Sequence, residues 1–356
     1  TVARLGGDEF TILLNSIEDP NRAEEVAEQI HQALKRPFSL SGYEVFTTAS
    51  IGIASSVTGY AQPEEVLRDA DAALYHAKEH GKARSVLFDA AMYNQAMSLL
   101  QLETALRWAI ERQELRVYYQ PIVSLTTGRI VGFEALVRWL HPEQGLVSPA
   151  QFIPIAEETG LIVSIGQWVL AESCRQLRQW QTQFPTASTL TISVNLSSKQ
   201  FSQPNLVEQI DQVLKETGLN PNHLKLEITE SGIMNNAESA ALLHQLRALE
   251  VQLCIDDFGT GYSSLSRLRQ FPINTLKIDR SFVSAMWETV EDAEVVQAVI
   301  TLAHNLGMDV VAEGIETAEQ LAHLRRLHCE QGQGYFFSRP LNSQAAEALI
   351  VTSSQW

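Results

Sequence analysis

The chain has 356 residues, 45% hydrophobic and 19% charged, which is enough apolar material for two domains or for one large barrel with an appendage. A net charge of -16, from 42 acidic and 26 basic residues, repels nucleic-acid backbone and excludes bulk binding of a DNA or RNA duplex. The same surface disfavours an anionic substrate unless metal ions intervene locally.

Cys174, Cys254 and Cys329 are far apart and in no metal-ligand spacing, so reduced thiols and a cytoplasmic location are expected. His141, His304 and His328 show no paired spacing, which argues against a histidine-zinc centre. No signal peptide and no apolar run of about 20 residues is visible. The chain opens at Thr1 almost inside a strand-turn-strand pattern. It reads as a fragment cut within a domain, and any upstream sensor or membrane anchor of the full-length protein is expected to lie outside it.

Residues 1–88 read as β-β-α-β-α-β. A hairpin is expected over Val2 to Leu14 with Gly6-Gly7 at its turn, where positive φ is needed. A helix follows over Arg22 to Leu34, then a strand over Val45 to Ala54, a helix from Pro63 to His80 closed by Gly81, and an edge strand at Val86 to Phe88. Residues 89–112 form a helical linker, uninterrupted by proline or glycine. Residues 113–356 read as the barrel domain, and from about Tyr118 to Phe337 they repeat one pattern, in which a short apolar run ends in a polar residue and a helix usually follows. The first two strands, Val117 to Leu125 and Ile130 to Ala135, are separated by so few residues that they must pair antiparallel, because a parallel crossover needs about a dozen. Helices are expected over Pro149 to Trp180, Pro204 to Thr217, Ala237 to Leu249, Ser263 to Gln270, Asp292 to Leu306 and Thr317 to Leu327, with a tail helix over Ser343 to Ile350. Eight strands suffice to close a cylinder. The fold class is therefore α/β, a (β/α)8 TIM-like barrel with one antiparallel strand, preceded by a partial α+β module.

In such a barrel the strand C-termini converge on one mouth, where polar residues read as catalytic. The apolar runs end at Glu134, Asn195, Glu227, Asp256-Asp257, Lys277, Glu313 and Gln333. Oxygen ligands suit hard divalent cations, and Glu134, Asn195, Glu227 and Asp256 offer four from separate strands. Asp257 adds a fifth if the strand turns there, and a shared carboxylate would give a two-metal site. Lys277 is suited to holding a water or neutralising a transition state, Glu313 to accepting a proton or completing a metal shell. These roles are not separable in the sequence. A salt bridge from Lys277 to Asp279 or Glu313 is the plain structural alternative. Glu230 fits both a support for the loop over Asp257 to Ser264 and an ordinary carboxylate at a helix start.

EALVRW (134–139), VNLS (194–197), LEITES (226–231), DDFGTGYSSL (256–265), LKID (276–279), AEGIE (312–316) and QGYFFSRP (333–340), in this order, resemble the EAL domain of cyclic-di-GMP phosphodiesterases over roughly residues 100–350. The resemblance implies hydrolysis of cyclic di-GMP to linear pGpG with two Mg2+ or Mn2+ ions. It implies a first metal held by Glu134, Asn195, Glu227 and Asp256, and a second held by Asp257 with Asp256 and Glu313. Lys277 and Glu313 match residues of water activation, and Gln120, Arg138 and Gln333 match substrate-facing positions. It also implies a homodimer through the barrel, coupled to the site by the DFGTGYSS loop with Glu230 as its support. RLGGDEF (4–10), ASIGIA (49–54) and ADAALYHAKEHGK (70–82) resemble the C-terminal part of a GGDEF domain, the diguanylate cyclase module. There Gly6 and Gly7 match nucleotide-approach positions, Asp8 and Glu9 active-site acids, and Lys78 and Lys82 phosphate contacts. Lys82-Ala83 stands where that family often has Arg-Asn. The fragment is expected to make no cyclic di-GMP. The alternatives are a bifunctional cyclase and phosphodiesterase in the full-length protein, and a receptor that binds the nucleotide without cleaving it.

Overall fold

The computed structural model describes residues 1–15, 17, 19, 21–55, 59–79, 81–234, 239–259, 265–286, 290–352 and 356, without the side chains of 90, 92–96, 234, 265–266 and 290–292. It divides into two compact units, Thr1–Thr104 and Ala105–Trp356.

The first unit contains β1 (Val2–Gly6), β2 (Glu9–Ile12), α1 (Arg22–Leu34), β3 (Phe38–Leu40), β4 (Tyr43–Val45), β5 (Ile51–Ile53), α2 (Pro63–Glu79) and β6 (Ser85–Leu87). Its strands pair two by two: β1 with β2 and β3 with β4 antiparallel, β5 with β6 parallel. The strand expected over Val45 to Ala54 is therefore two short strands in different sheets. At the first turn only Gly7 has positive φ, at 53°. The buried apolar residues Ala27, Ile53, Ala72, Ala73 and Ala77 lie on α1, α2 and β5. Gly52 lets α2 lie directly on β5, since a Cβ there would stand 2.0 Å from the Ala70 carbonyl oxygen. The linker helix, α3, spans Ala90–Leu106 and crosses the division between the units. It stops six residues short of the expected end, because residues 107–113 form turns closed by Ala109 N–H to the Leu106 carbonyl and Gln113 N–H to the Ile110 carbonyl.

The second unit is a closed barrel of eight strands: β7 (Leu115–Ser124), β8 (Ile130–His141), β10 (Thr191–Leu196), β11 (Leu224–Thr229), β12 (Gln252–Phe258), β13 (Thr275–Ile278), β14 (Asp309–Ala312) and β15 (Gln331–Gly332). A short β9 (Gly145–Val147) extends β8 outside the ring. β7 runs antiparallel to β8 and to β15; the other ring pairings are parallel, and β8 with β10 closes the cylinder. Residues such as Leu226, Ile228, Leu253 and Ile255 are fully or almost fully buried.

Around the ring lie α4 (Pro149–Thr159), α5 (Ile162–Gln183), α6 (Ser198–Phe201), α7 (Leu206–Thr217), α8 (Glu230–Met234), α9 (Ser239–Ala248), α10 (Leu265–Leu268), α11 (Arg280–Ala285), α12 (Val290–Asn305), α13 (Ala318–Arg326) and α14 (Ser343–Thr352). The connection over Pro149 to Trp180, expected to be helical, holds two helices, because Gly160 adopts φ 80° and caps α4. The helix expected from Pro204 begins at Leu206, and a capping box between Ser197 and Gln200 starts the short α6 before it. The helix ends expected at Ala237 and Ser263 lie outside the described residues. No helix among the described residues is long and apolar enough to cross a membrane.

Candidate active site

Parallel register brings the run-ends to one level. Asn195 pairs with Glu227, Thr229 with Asp256, and Gln120 lies opposite Glu134 across the antiparallel ribbon. The Glu313 N–H donates to the Ile278 carbonyl and the Gln333 N–H to the Ala312 carbonyl, continuing the ladder one residue past the strand ends.

The centre of the cluster is Lys277, 1% exposed. Its Nζ lies 2.6 Å from Glu313 Oε1, 2.7 Å from Glu227 Oε2, 3.3 Å from Asp256 Oδ1 and 3.5 Å from Glu134 Oε2. Asp279, the other partner considered for Lys277, instead caps α11 by accepting from the Ser281 N–H. Asn195 Nδ2 donates to Glu134 Oε1 at 2.7 Å, and Gln333 Nε2 donates to Glu134 Oε2 at 2.6 Å and to Glu313 Oε1 at 2.8 Å. The Gln333 Oε1 atom is buried without a hydrogen-bond partner among the described residues.

Burial sets the electrostatics, and the neighbours then divide the carboxyls. Glu134 is pushed up by burial, but Lys277 and the donors Gln333 and Asn195 outweigh this and hold it below the ordinary range. Glu227 is raised by burial, with the charges of Glu134 and Asp256 adding, to about 8. Glu313 is raised for the same reasons to about 7. Lys277 loses from burial, yet the surrounding carboxylates keep it well above its ordinary value. Asp257 is raised by burial and by Asp256 and Asp279. Its φ of 54° is unusual for a non-glycine residue and falls where the register of β12 against β13 shifts between Ile255 and Phe258, an irregularity that lets both adjacent aspartates reach the mouth.

Four carboxylates around one ammonium leave three negative charges uncompensated when all are ionised, so the donor set calls for further positive charge. Asp256, Asp257 and Glu313 each offer an oxygen within 4.8 Å of the others, a spacing able to hold a cation. An all-oxygen set of this kind suits Mg2+ or Mn2+.

Glu230 is 3% exposed, and its Oε2 accepts the Gly259 N–H at 3.1 Å while the residue opens α8. Of the loop beyond, residues 260–264 lie outside the described residues. Gln120 Nε2 donates to the Ser338 carbonyl at 3.3 Å, and Arg138 lies with Cζ 5.7 Å from the Tyr118 ring centroid. Tyr335 and Arg339, with Cζ of Arg339 4.4 Å from the Tyr335 ring centroid, were not singled out in the sequence although the QGYFFSRP segment contains both. In the first unit Asp8, Glu9, Lys78 and Lys82 are exposed, and Asp8 and Glu9 join no metal-capable cluster among the described residues.

The EAL domain model matches residues 103–340, and the diguanylate cyclase GGDEF domain model matches residues 1–84. The chain belongs to the EAL domain family, with part of a GGDEF domain before the EAL domain. It is 44% identical to the bifunctional diguanylate cyclase/cyclic di-GMP phosphodiesterase MucR of Pseudomonas aeruginosa, over 99% of this chain and 51% of that protein. It is 41% identical to the cyclic di-GMP phosphodiesterase NbdA of the same organism, over 98% of this chain and 44% of that protein. The chain thus spans about half the length of the curated relatives it matches. The solved PaMucR phosphodiesterase in complex with c-di-GMP is 45% identical, with a TM-score of 0.67, covering 69% of this EAL-family chain and 99% of its own.

Proposed function

We propose that the barrel hydrolyses cyclic di-GMP to linear pGpG, using two divalent ions, Mg2+ or Mn2+. The observation that carries this reading is the buried meeting of Glu134, Glu227, Asp256 and Glu313 around Lys277. It agrees with a relative named as a phosphodiesterase of this nucleotide and with a solved relative bound to it.

Glu134, Asn195, Glu227 and Asp256 would hold one ion, and Asp256, Asp257 and Glu313 the other. Bound there, the ions supply Lewis acidity and an activated water for in-line displacement at phosphorus. The chain's own groups do the rest. Lys277 balances charge on the pentacoordinate phosphorus and fixes four carboxylates in place. Glu313, whose Oε1 lies 2.6 Å from Lys277 Nζ at the mouth, would accept the water's proton. Gln333 bridges Glu134 and Glu313 and sets their orientation. Arg138 and Gln120 face the nucleotide. The water oxygen bonds to phosphorus, the P–O3′ bond breaks, and the 3′ oxygen leaves with a proton, giving a 5′-phosphate.

Incubation of the chain with cyclic di-GMP, with and without Mg2+ or Mn2+, should yield pGpG only with metal. Glu134→Ala should lower turnover at saturating metal by at least about 1,000-fold. Normal hydrolysis by that variant would remove the metal assignment, and tight binding without pGpG would make the barrel a receptor. The bifunctional reading of the full-length protein is supported by the relative named as both cyclase and phosphodiesterase. A full-length protein given GTP tests it. The reaction fits a reducing, cytoplasmic setting, since all three cysteines are free and buried. A homodimer through the barrel is proposed on the family resemblance, and light scattering after gel filtration tests it.

A further inference from the structure

The β7–β8 ribbon is longer than its neighbours. β7 has ten residues and β8 twelve, against four to seven in β10 to β14. Alternation places Glu134, Leu136 and Arg138 on one face of β8. Register places Gln120 and Tyr118 beside them on β7. Glu134 is turned into the acidic cluster, so this face is a wall rising from it.

A second strip lies along the other edge of β7. Tyr119 and Leu341 exchange both backbone hydrogen bonds, at 2.7 and 3.0 Å, and the Ser338 carbonyl accepts from Gln120 Nε2. This lays the segment from Gln333 to Leu341 against the wall. Gln333 bonds into the acids at one end of it, and Tyr335 and Arg339 stand exposed along it, the tyrosine 52% so. The guanidinium of Arg339 is held over the Tyr335 ring at 4.4 Å. An exposed arginine on a surface of net charge -16 has many acidic alternatives. Stacking on an aromatic face instead orders its planar fork and leaves its N–H edge unspent.

We propose that Arg339, ordered by Tyr335, selects guanine over adenine by presenting two N–H groups to O6 and N7 of one base of the cyclic dinucleotide. This rests on the cyclic-di-GMP reading above. Guanine shows two acceptors on that edge; adenine shows one acceptor and an amino donor, which opposes a second N–H. Tyr335 is a positioning residue, and what it contributes is its ring. A purely charge-based contact to phosphate, by contrast, would serve both purines alike and would accept lysine.

The test measures KM and kcat for cyclic di-GMP and the inhibition constant of cyclic di-AMP as competitor, on the whole chain. Arg339→Ala and Arg339→Lys should raise KM for cyclic di-GMP by roughly 10- to 100-fold. Their kcat should change by less than about threefold, and the cyclic di-AMP constant should move little. Tyr335→Phe should behave as wild type, and Tyr335→Leu should follow Arg339→Ala part of the way. Both side chains are exposed, so thermal unfolding should be unchanged. Equal loss for both nucleotides, or full function in Arg339→Lys, would overturn the proposal. Hydrolysis by wild type with unaltered selectivity in Arg339→Ala would sink only this assignment. A wild-type chain that hydrolyses no cyclic di-GMP would sink the underlying reading as well.

Discussion

At the scale of single residues, the acidic mouth is held together by groups that would repel one another without Lys277. Burial and like charge raise Glu227 to about 8 and Glu313 to about 7, from an ordinary value of 4.5. The folded chain therefore binds more protons than the unfolded chain between about pH 4.5 and 8. Through these two groups, stability of the metal-free protein should fall as pH rises across that window. A divalent cation replaces the protons, so its stabilising effect should grow from pH 6 to 8.5. Thermal melts in Mg2+ and in chelator at each pH would check this. An equal shift in Tm at all pH values would contradict it. Glu230 stands one step away from the cluster, its Oε2 accepting the Gly259 N–H two residues past Asp257. Glu230→Ala should lower kcat about 10- to 100-fold, as loss of an outer support typically does. Glu230→Gln keeps an acceptor oxygen and should recover much of that activity. A Gln variant as damaged as the Ala variant would mean that the charge, not the hydrogen bond, matters.

Among the elements, barrel closure depends on the parallel seam between β8 and β10. Gly132 lies opposite Thr191 there, and a Cβ would stand 2.4 Å from Thr191 Oγ1 and 2.7 Å from its carbonyl oxygen. Backbone cannot rotate aside as a side chain can. Gly132→Ala should cost roughly 1–3 kcal/mol in urea unfolding, with the slope unchanged. A neutral result would show the seam to be slack. The antiparallel start of the barrel and the existence of its strands were readable because a short connection forbids a crossover and apolar runs punctuate the chain. The break between α4 and α5 was less readable, since Gly160 is also compatible with a continuing helix. Residues Val45 to Ala54 misled because β-branched content indicates extended chain but not which sheet it joins.

For the molecule as a whole, the two units differ in how much core they own. The barrel buries Phe133, Trp139, Phe152 and Trp180 almost completely, whereas Val2, Leu5, Phe10, Leu40 and Tyr43 of the first unit are exposed. Isolated two-stranded sheets are marginal without a face to cover. Limited proteolysis should therefore cut ahead of Thr104 first and leave a barrel fragment intact. Residues 89–356 alone should keep kcat within about threefold of the whole chain. Mass spectrometry of the fragments and an assay on the shortened chain decide both points. Early cleavage inside the barrel, or loss of turnover on shortening, would show the first unit to be necessary to the second.

The sequence by itself determined which polar residues punctuate the apolar runs of the barrel, because side-chain chemistry and apolar periodicity are local properties, but it ended the second strand at Ala135, whereas β8 continues past Glu134 to His141. It also settled the family, since several motifs recur in one order. What only the tertiary structure decided is how those groups share charge: that Lys277 pairs with four acids rather than with Asp279, that Gln333 bridges Glu134 and Glu313, and that Arg339 lies on Tyr335. The relations within the acidic cluster join residues up to 199 positions apart, and register across a closed sheet, not any spacing along the chain, brings them within a few ångströms.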